Sequence, residues 1–416
     1  MDVYLLPAVV GGGLGDIEEV LAAGRRLARA GFPIFLYRAP GRALPRSVDG
    51  PWDWPPLRRT ERVPGRSAAA LTIAPAWGLS AAPTRPGPLG RGGAWADEAA
   101  AIEAAYGAGS TVHVSLEEFA RTLTPAREDR ERFREGGVRS RALAARLRES
   151  VASGQRQRMH EAFERYRAFD RPNVLHLFAT LRRDPGFTRE FPAAVQTGPL
   201  WSGARAPAAR RRRTEWVWYA SPASAETIAP AVEAGLAAAA RPVRLVIRRD
   251  RVWGKVPGSA TTEHLLTPVP AVAWRARFAA ADLRVVTGSR SLLEAIEVGG
   301  PFLYFNGILG RGATRRRHRP EKLRELLTVL RQRDSPEDLL RDLADFGSGR
   351  RVAAVVTRAA NREGGWRRFP RRVAPVGFRA PYDDAGRLIV AVARRLAGRP
   401  NDAAAIVALA RSGRAL

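Results

Sequence analysis

Three stretches of this chain place glycines, hydroxyls and charged groups where phosphate and sugar chemistry needs them. The first is Gly11-Gly12-Gly13-Leu14-Gly15-Asp16, set between an apolar run and a segment of helical spacing. Gly12 and Gly13 let a phosphate or sugar approach the backbone closely, and the helix start adds free N–H groups and about half a positive charge. The spacing is neither G-x-G-x-x-G nor G-K-[ST], which disfavours a dinucleotide fingerprint and a P-loop. Asp16 closes the loop with a carboxylate that can take a proton from a hydroxyl or cap the helix. The second stretch is Thr287-Gly288-Ser289-Arg290-Ser291, with Glu294 three residues on. Its hydroxyls and N–H groups suit a phosphate. The Glu294 carboxylate suits the two hydroxyls of a ribose, unless Ser291 and Glu294 form only a capping box. The third runs from Asn306-Gly307 through Arg311 and Arg315-Arg316-Arg317-His318-Arg319 to Lys322. Arginine forks match phosphate oxygens in pairs. The plain alternative is a solvated charge run. His113 is a second candidate base, although its setting between Val112 and Val114 also fits a packed strand histidine.

The elements that position these groups are legible in outline. Val3 to Leu6 with Ala8 to Val10 predicts a buried parallel strand, and Ile17, Val20, Leu21, Gly24, Leu27 and Ala28 a helix that Gly31 stops. Phe32 to Tyr37 reads as the next strand, 38–66 as an irregular excursion, and Ala68 to Ala74 as a strand. Trp95 to Tyr106 reads as a helix, with strands at Thr111 to Ser115 and Asn173 to Ala179. Between them, 116–169 reads as charged helices. Gln196 to Leu200 reads as an exit turn, and Ser202 to Thr214, with four consecutive arginines, as a linker. Strand and helix then alternate again: Trp216 to Tyr219, Ala225 to Ala240, Val243 to Ile247, Leu265-Leu266, Leu283 to Val286, Ser291 to Val298 and Phe302 to Phe305. Asp383 to Ala397 and Asp402 to Arg411 read as closing helices. Two α/β halves follow from this alternation.

Composition narrows the classes. A chain of 416 residues is long enough for two or three domains. It has no cysteine, which excludes disulfides, thiolate metal sites and a thiol nucleophile. Its five histidines show no metal-ligand spacing, and no D-x-D occurs, so no metal is expected. Net charge is +28, and all but two of its 69 basic residues are arginine. Such a surface attracts nucleotide phosphates, anionic lipid or nucleic acid. Arg210 to Arg213, and Arg367, Arg368, Arg371 and Arg372 with Trp366 and Phe369 interleaved, suit an anionic membrane face. A signal peptide and a membrane-spanning run are not evident, so a cytoplasmic location, peripheral to the inner membrane face, is expected.

The second half resembles the donor domain of GT-B glycosyltransferases, nearest to the N-acetylglucosaminyltransferase of peptidoglycan synthesis and lipid A disaccharide synthase. Gly11 to Gly15 matches the family's N-terminal glycine loop. Gly288 to Glu294 followed by Gly299-Gly300-Pro301 matches its donor loop, ribose-binding glutamate and G-x-P strand. Ser221-Pro222-Ala223-Ser224 matches its serine loop, and Gly198-Pro199 its exit turn. The resemblance implies two Rossmann-like domains facing a cleft, with C-terminal helices packing back on the first. The implied boundaries are 1–203 for the acceptor domain, 204–214 for the linker, 215–378 for the donor domain and 379–416 for the returning helices. It implies transfer from a nucleotide-sugar substrate, with no further cofactor, to an unidentified acceptor that could be lipid-linked. Gly12, Gly13, Ser221, Ser224, Gly288, Ser289, Arg290, Ser291, Glu294, Asn306, Arg315 and His318 would contact the donor. Where the family has a histidine after the glycines, this chain has Asp16, the first choice of base. A nucleotide-sugar epimerase of the same fold and a basic nucleic-acid-binding protein are the alternatives. The absence of an aromatic RNA-binding signature or a helix-turn-helix makes nucleic acid the less favoured partner.

Overall fold

A computed structural model describes residues 1–6, 15–38, 57–65, 67–75, 96–118, 171–183, 194–201, 214–219, 222–249, 262–266, 271–305, 321–378, 383–414 and 416. The chain forms two compact units, Met1–Ser202 with Gly377–Leu416, and Gly203–Val376.

The first unit is a seven-stranded sheet in which all neighbours run parallel. Its strands are β1 (Asp2–Leu5), β2 (Ile34–Tyr37), β3 (Leu57–Thr60), β4 (Ala70–Pro75), β5 (Thr111–Glu118), β6 (Val174–Ala179) and β7 (Ala194–Thr197), ordered 3-2-1-4-5-6-7. Helix α1 (Gly15–Arg29) follows β1, and α2 (Ala96–Tyr106) follows β4. The two helices cover opposite faces. Val20, Leu21 and Leu27 of α1 join Val3, Leu5, Leu71 and Ile73, whereas Ala99 and Ile102 of α2 join Tyr4, Leu6, Phe35 and Tyr37. That alternation of faces is why β1, β2 and β4 read as continuous apolar runs.

The second unit repeats the plan with five parallel strands: β8 (Glu215–Tyr219), β9 (Arg244–Arg249), β10 (Thr262–Leu266), β11 (Leu283–Val286) and β12 (Phe302–Tyr304). Their order is 10-9-8-11-12, again a unit's first strand flanked by its second and fourth strands. Its helices are α3 (Pro222–Ala237), α4 (Ala271–Ala280), α5 (Ser289–Val298), α6 (Glu321–Arg331), α7 (Glu337–Gly347) and α8 (Val352–Asn361). Gly235 lets α3 and α8 touch closely, since a Cβ there would stand 2.5 Å from the Ala353 carbonyl.

The last two helices, α9 (Ala385–Gly398) and α10 (Ala403–Ser412), complete the first unit. Leu388, Ile389, Val392, Leu396, Ile406 and Val407 enter the same core as α1. Asp384 caps α9 by accepting from the N–H groups of Gly386 (2.7 Å) and Arg387 (3.2 Å), and it pairs with Arg26 of α1 at 3.1 Å. The expected pair of doubly wound α/β units, with C-terminal helices packed on the first, is therefore the observed fold.

Two expected features differ. The excursion 38–66 contains the edge strand β3, whose Arg58 and Arg59 hide it from an apolar pattern; charge is how an exposed edge avoids further pairing. The exit turn at Gln196 to Leu200 begins as the last turn of strand sequence, because Ala194–Thr197 pairs with β6. Among the described residues no helix is long and apolar enough to cross a membrane.

Candidate functional site

In a doubly wound sheet the ligand crevice lies at the carboxyl ends of the strands, where successive connections leave in opposite directions. In the second unit that place is between β8 and β11, which pair directly. Helix α3 opens after β8, and α5 opens after β11. Two helix N-termini, each with unpaired N–H groups and partial positive charge, thus start from adjacent strand ends.

The opening of α5 is described in detail. Gly288 is its cap, exposed and extended, and Leu292 N–H bonds the Gly288 carbonyl at 3.0 Å. Ser291 Oγ accepts from Gly288 N–H and donates to Gly288 C=O, both at 3.1 Å, which locks the first turn. The helix therefore starts two residues before Ser291. This corrects the capping-box alternative that made Ser291 the cap: Ser291 is the third helical residue, and Glu294 stands a turn further in. Arg290 is buried, and its Nε lies 3.5 Å from Glu294 Oε1, with Glu294 18% exposed. The pair holds a carboxylate and a guanidinium on one flank of α5. Ser289 is the first helical residue, and its side chain lies outside the description, as does that of Ser224 in the first turn of α3.

The first unit has its equivalent place between β1 and β4, and α1 opens there with Gly15-Asp16. The Asp16 side chain, Gly12 and Gly13 lie outside the described residues, and so do Ser221, Asn306, Arg315 and His318.

At the opposite edges, where strands begin, the starts of β5 and β11 are described in detail. His113, expected as a base facing a ligand, is the third residue of β5 and only 2% exposed. Its Nε2 lies 2.9 Å from Glu103 Oε2, and its Nδ1 lies 2.7 Å from the Thr72 hydroxyl. Glu103 also accepts from Asn173 Nδ2 at 3.0 Å and from Arg171 Nη2. The His113 hydrogen bond, with those from Arg171 and Asn173, holds the Glu103 carboxyl down at about 2. An ionised Glu103 only accepts, so Nε2 carries the proton and, in the neutral ring, Nδ1 accepts from Thr72. Both nitrogens are engaged, at the wrong end of the strand for a ligand. His113 is accordingly a structural residue of the first unit, and the assignment as a base is corrected.

Gly299-Gly300-Pro301 likewise stands at the strand-starting edge of the second unit, not at the crevice. Gly299 ends α5 at φ +82°, and Gly300 follows at φ +80°. Beside them Arg284 of β11, 2% exposed, donates from Nε to Phe278 C=O (2.8 Å), from Nη2 to Ala279 C=O (2.8 Å) and from Nη1 to Gly299 C=O (2.9 Å). One guanidinium thus serves the carboxyl ends of α4 and α5. Burial lowers it to about 10, so it stays charged at neutral pH. Sequence reading passed over Arg284 because an arginine inside an apolar strand pattern reads as an exception, although that is its signal.

Among the described residues no three His, Asp or Glu side chains gather as a metal site would require. No protein-family model and no curated protein matches the chain. Solved structures of similar shape include a glycotransferase of kitacinnamycin, at 14% identity over 88% of this chain and 96% of that one, TM-score 0.44. Another is a UDP-glucosyltransferase of Polygonum tinctorium capable of glucosylating indoxyl, at 12% identity over 88% and 98%, TM-score 0.44. A third is Phytolacca americana UGT2 complexed with UDP-2-fluoroglucose and pterostilbene, at 9% identity over 99% of each chain, TM-score 0.46.

Proposed function

We propose that this chain is a glycosyltransferase that moves a sugar from a nucleotide-activated donor to an acceptor hydroxyl. The unit Gly203–Val376 holds the donor in this reading, and the unit containing α1 holds the acceptor. The observation that carries it is the pairing of β8 with β11, which starts α3 and α5 from neighbouring strand ends with the small-residue opening Thr287-Gly288 beside them. The free N–H groups at the start of α5 take the diphosphate. Glu294, steered by Arg290, takes the ribose hydroxyls. Ser221, Ser224, Asn306, Arg315 and His318 complete the donor contacts, and Gly12 and Gly13 let the sugar approach the first loop. Charge developing on the leaving nucleoside diphosphate is met by helix N-termini and arginines, with no metal needed. Asp16 accepts the acceptor proton. The acceptor is proposed as a hydroxyl compound, and a lipid-linked one fits a chain of charge +28.

A thermal-shift series with UDP, GDP, ADP, CMP and dTDP, run on the native sequence and on Glu294→Ala, tests this reading. A nucleotide at a hundredfold its dissociation constant adds about 2.7 kcal/mol of stability. One nucleotide should raise the midpoint, and Glu294→Ala should abolish that rise. Equal small shifts from all five, insensitive to the substitution and erased by salt, would remove the donor site.

A further inference from the structure

The basic segment after α8 takes a form that its sequence does not suggest. A short 3-10 helix, Gly364–Arg368, carries it into extended chain. Trp366 and Phe369 fold inward, 3% and 8% exposed. They stack at 5.8 Å, Phe369 meets Phe302 edge-on at 5.2 Å, and Trp366 Nε1 donates to Asp342 at 2.8 Å. Gly365 N–H bonds Asp338 at 2.7 Å, and Gly300 N–H bonds the Arg371 carbonyl at 3.3 Å. The backbone is thus pinned from below at both ends. Arg367, Arg368, Arg371 and Arg372 are all exposed on top of it.

Their neighbours are paired: Arg350 with Asp345 (3.4 Å), Arg358 with Asp342, and Arg362 with Asp282 (3.7 Å). Among the described residues no carboxylate stands within ion-pair distance of these four. Arg367 makes one bond, from Nε to the Arg362 carbonyl at 2.9 Å, and Asp338 feels the charge of Arg368. Four exposed guanidiniums, none in an ion pair with a described residue, therefore sit within six residues on a fixed support.

We propose that this strip docks the protein on an anionic lipid surface. With both aromatic rings buried, the strip has nothing to stack on unpaired bases and nothing to insert between acyl chains. Its backbone is one short 3-10 turn running into extended chain, so no α-helix is presented to a duplex groove. What it offers is a short row of phosphate-seeking forks, which a plane of head groups can meet. The inference concerns a surface away from the α5 opening and stands whether or not a nucleotide binds there.

The test is co-sedimentation of the full chain with vesicles of phosphatidylcholine alone or with about one third phosphatidylglycerol. It compares Arg367, Arg368, Arg371 and Arg372 all changed to Gln with a control that loses the same charge from Arg387, Arg394, Arg399 and Arg414. Each guanidinium near an anionic surface is worth about fivefold in partitioning. The strip variant should lose at least about tenfold more binding to the anionic vesicles than the control, and about 0.5 M salt should release the native chain. The pair Arg371→Gln and Arg372→Gln, which touches no side-chain bond, should show the same direction and guards against a folding defect. Equal losses in strip and control variants, or no preference for phosphatidylglycerol, would overturn the proposal. Tighter binding to random duplex DNA, lost in the strip variant, would overturn it in favour of nucleic acid.

Discussion

The strand-starting edges of the two sheets solve one problem with opposite charges. In the first unit a carboxylate, Glu103, is gripped by His113, Asn173 and Arg171. In the second a guanidinium, Arg284, is gripped by three helix-end carbonyls. Helices of a parallel sheet end at this edge, so a cation there also meets the negative ends of their dipoles. Glu103 has no such help, since it lies in the last turn of α2, and depends on its donors. Clusters that resemble chemistry by composition can thus be architecture by position, and their protonation behaviour differs. The anionic edge is sensitive to acid, while the cationic edge stays charged through neutral pH.

Replacing Arg284 by Met should have the largest effect, because it removes a charged donor from three carbonyls, of which Phe278 C=O keeps only the Ala281 N–H at 3.4 Å. A loss of about 3–5 kcal/mol in urea unfolding is expected. A loss below about 1 kcal/mol would mean that water replaces the guanidinium, and the contrast between the edges would fail. Gly299→Ala comes next, since its φ is +82° and the new Cβ would stand 2.3 Å from the Arg371 carbonyl. About 3 kcal/mol should be lost, against about 1 kcal/mol for Gly31→Ala, which shares the positive φ but meets nothing within 4 Å. Equal thermal midpoints for the two variants would show that backbone conformation, not the crowded edge, sets the cost.

Glu103→Gln sharpens the acid side. The carboxyl is held at about 2 against 4.5 in the open chain, so its contribution is complete above 4.5 and is lost as pH falls towards 2. The substitution should cost on the order of 2 kcal/mol at neutral pH and flatten the fall in stability between those limits. An unchanged acid limb in equilibrium unfolding would sink the idea. The smallest effect belongs to Arg331→Ala, whose partner Glu337 is 71% exposed, at less than about 0.5 kcal/mol.

The sequence displayed the strands well because parallel strands buried on both faces leave unbroken apolar runs, as at Ile34–Tyr37 and Phe302–Tyr304. The short edge strands β3 and β7 escaped, having four residues each and only one covered side. At the candidate site, Gly288 to Glu294 was legible as a strand-to-helix loop. Its cap position was not, because Gly288 and Ser291 both satisfy capping chemistry and only the backbone decides between them. His113 misled for a related reason. Residue type announces a titratable group, while the direction of its strand, which sequence does not print, determines what it faces. Trp366 and Phe369 misled as well: alternation with arginine looks like an aromatic-basic surface, yet both rings are core.

The return of α9 and α10 to the first unit has a consequence for biosynthesis. The residues that finish its core, from Ala385 onward, leave the ribosome after the whole of Gly203–Val376. At about 5–20 residues per second, the face of α1 that Leu388, Ile389 and Val392 will cover waits roughly 20–70 s for its cover. The second unit, continuous in sequence, has all its strands before the first residue of α9 is made. The later-made unit is therefore the one that can finish first, and the first-made unit is the one that a nascent-chain chaperone must guard.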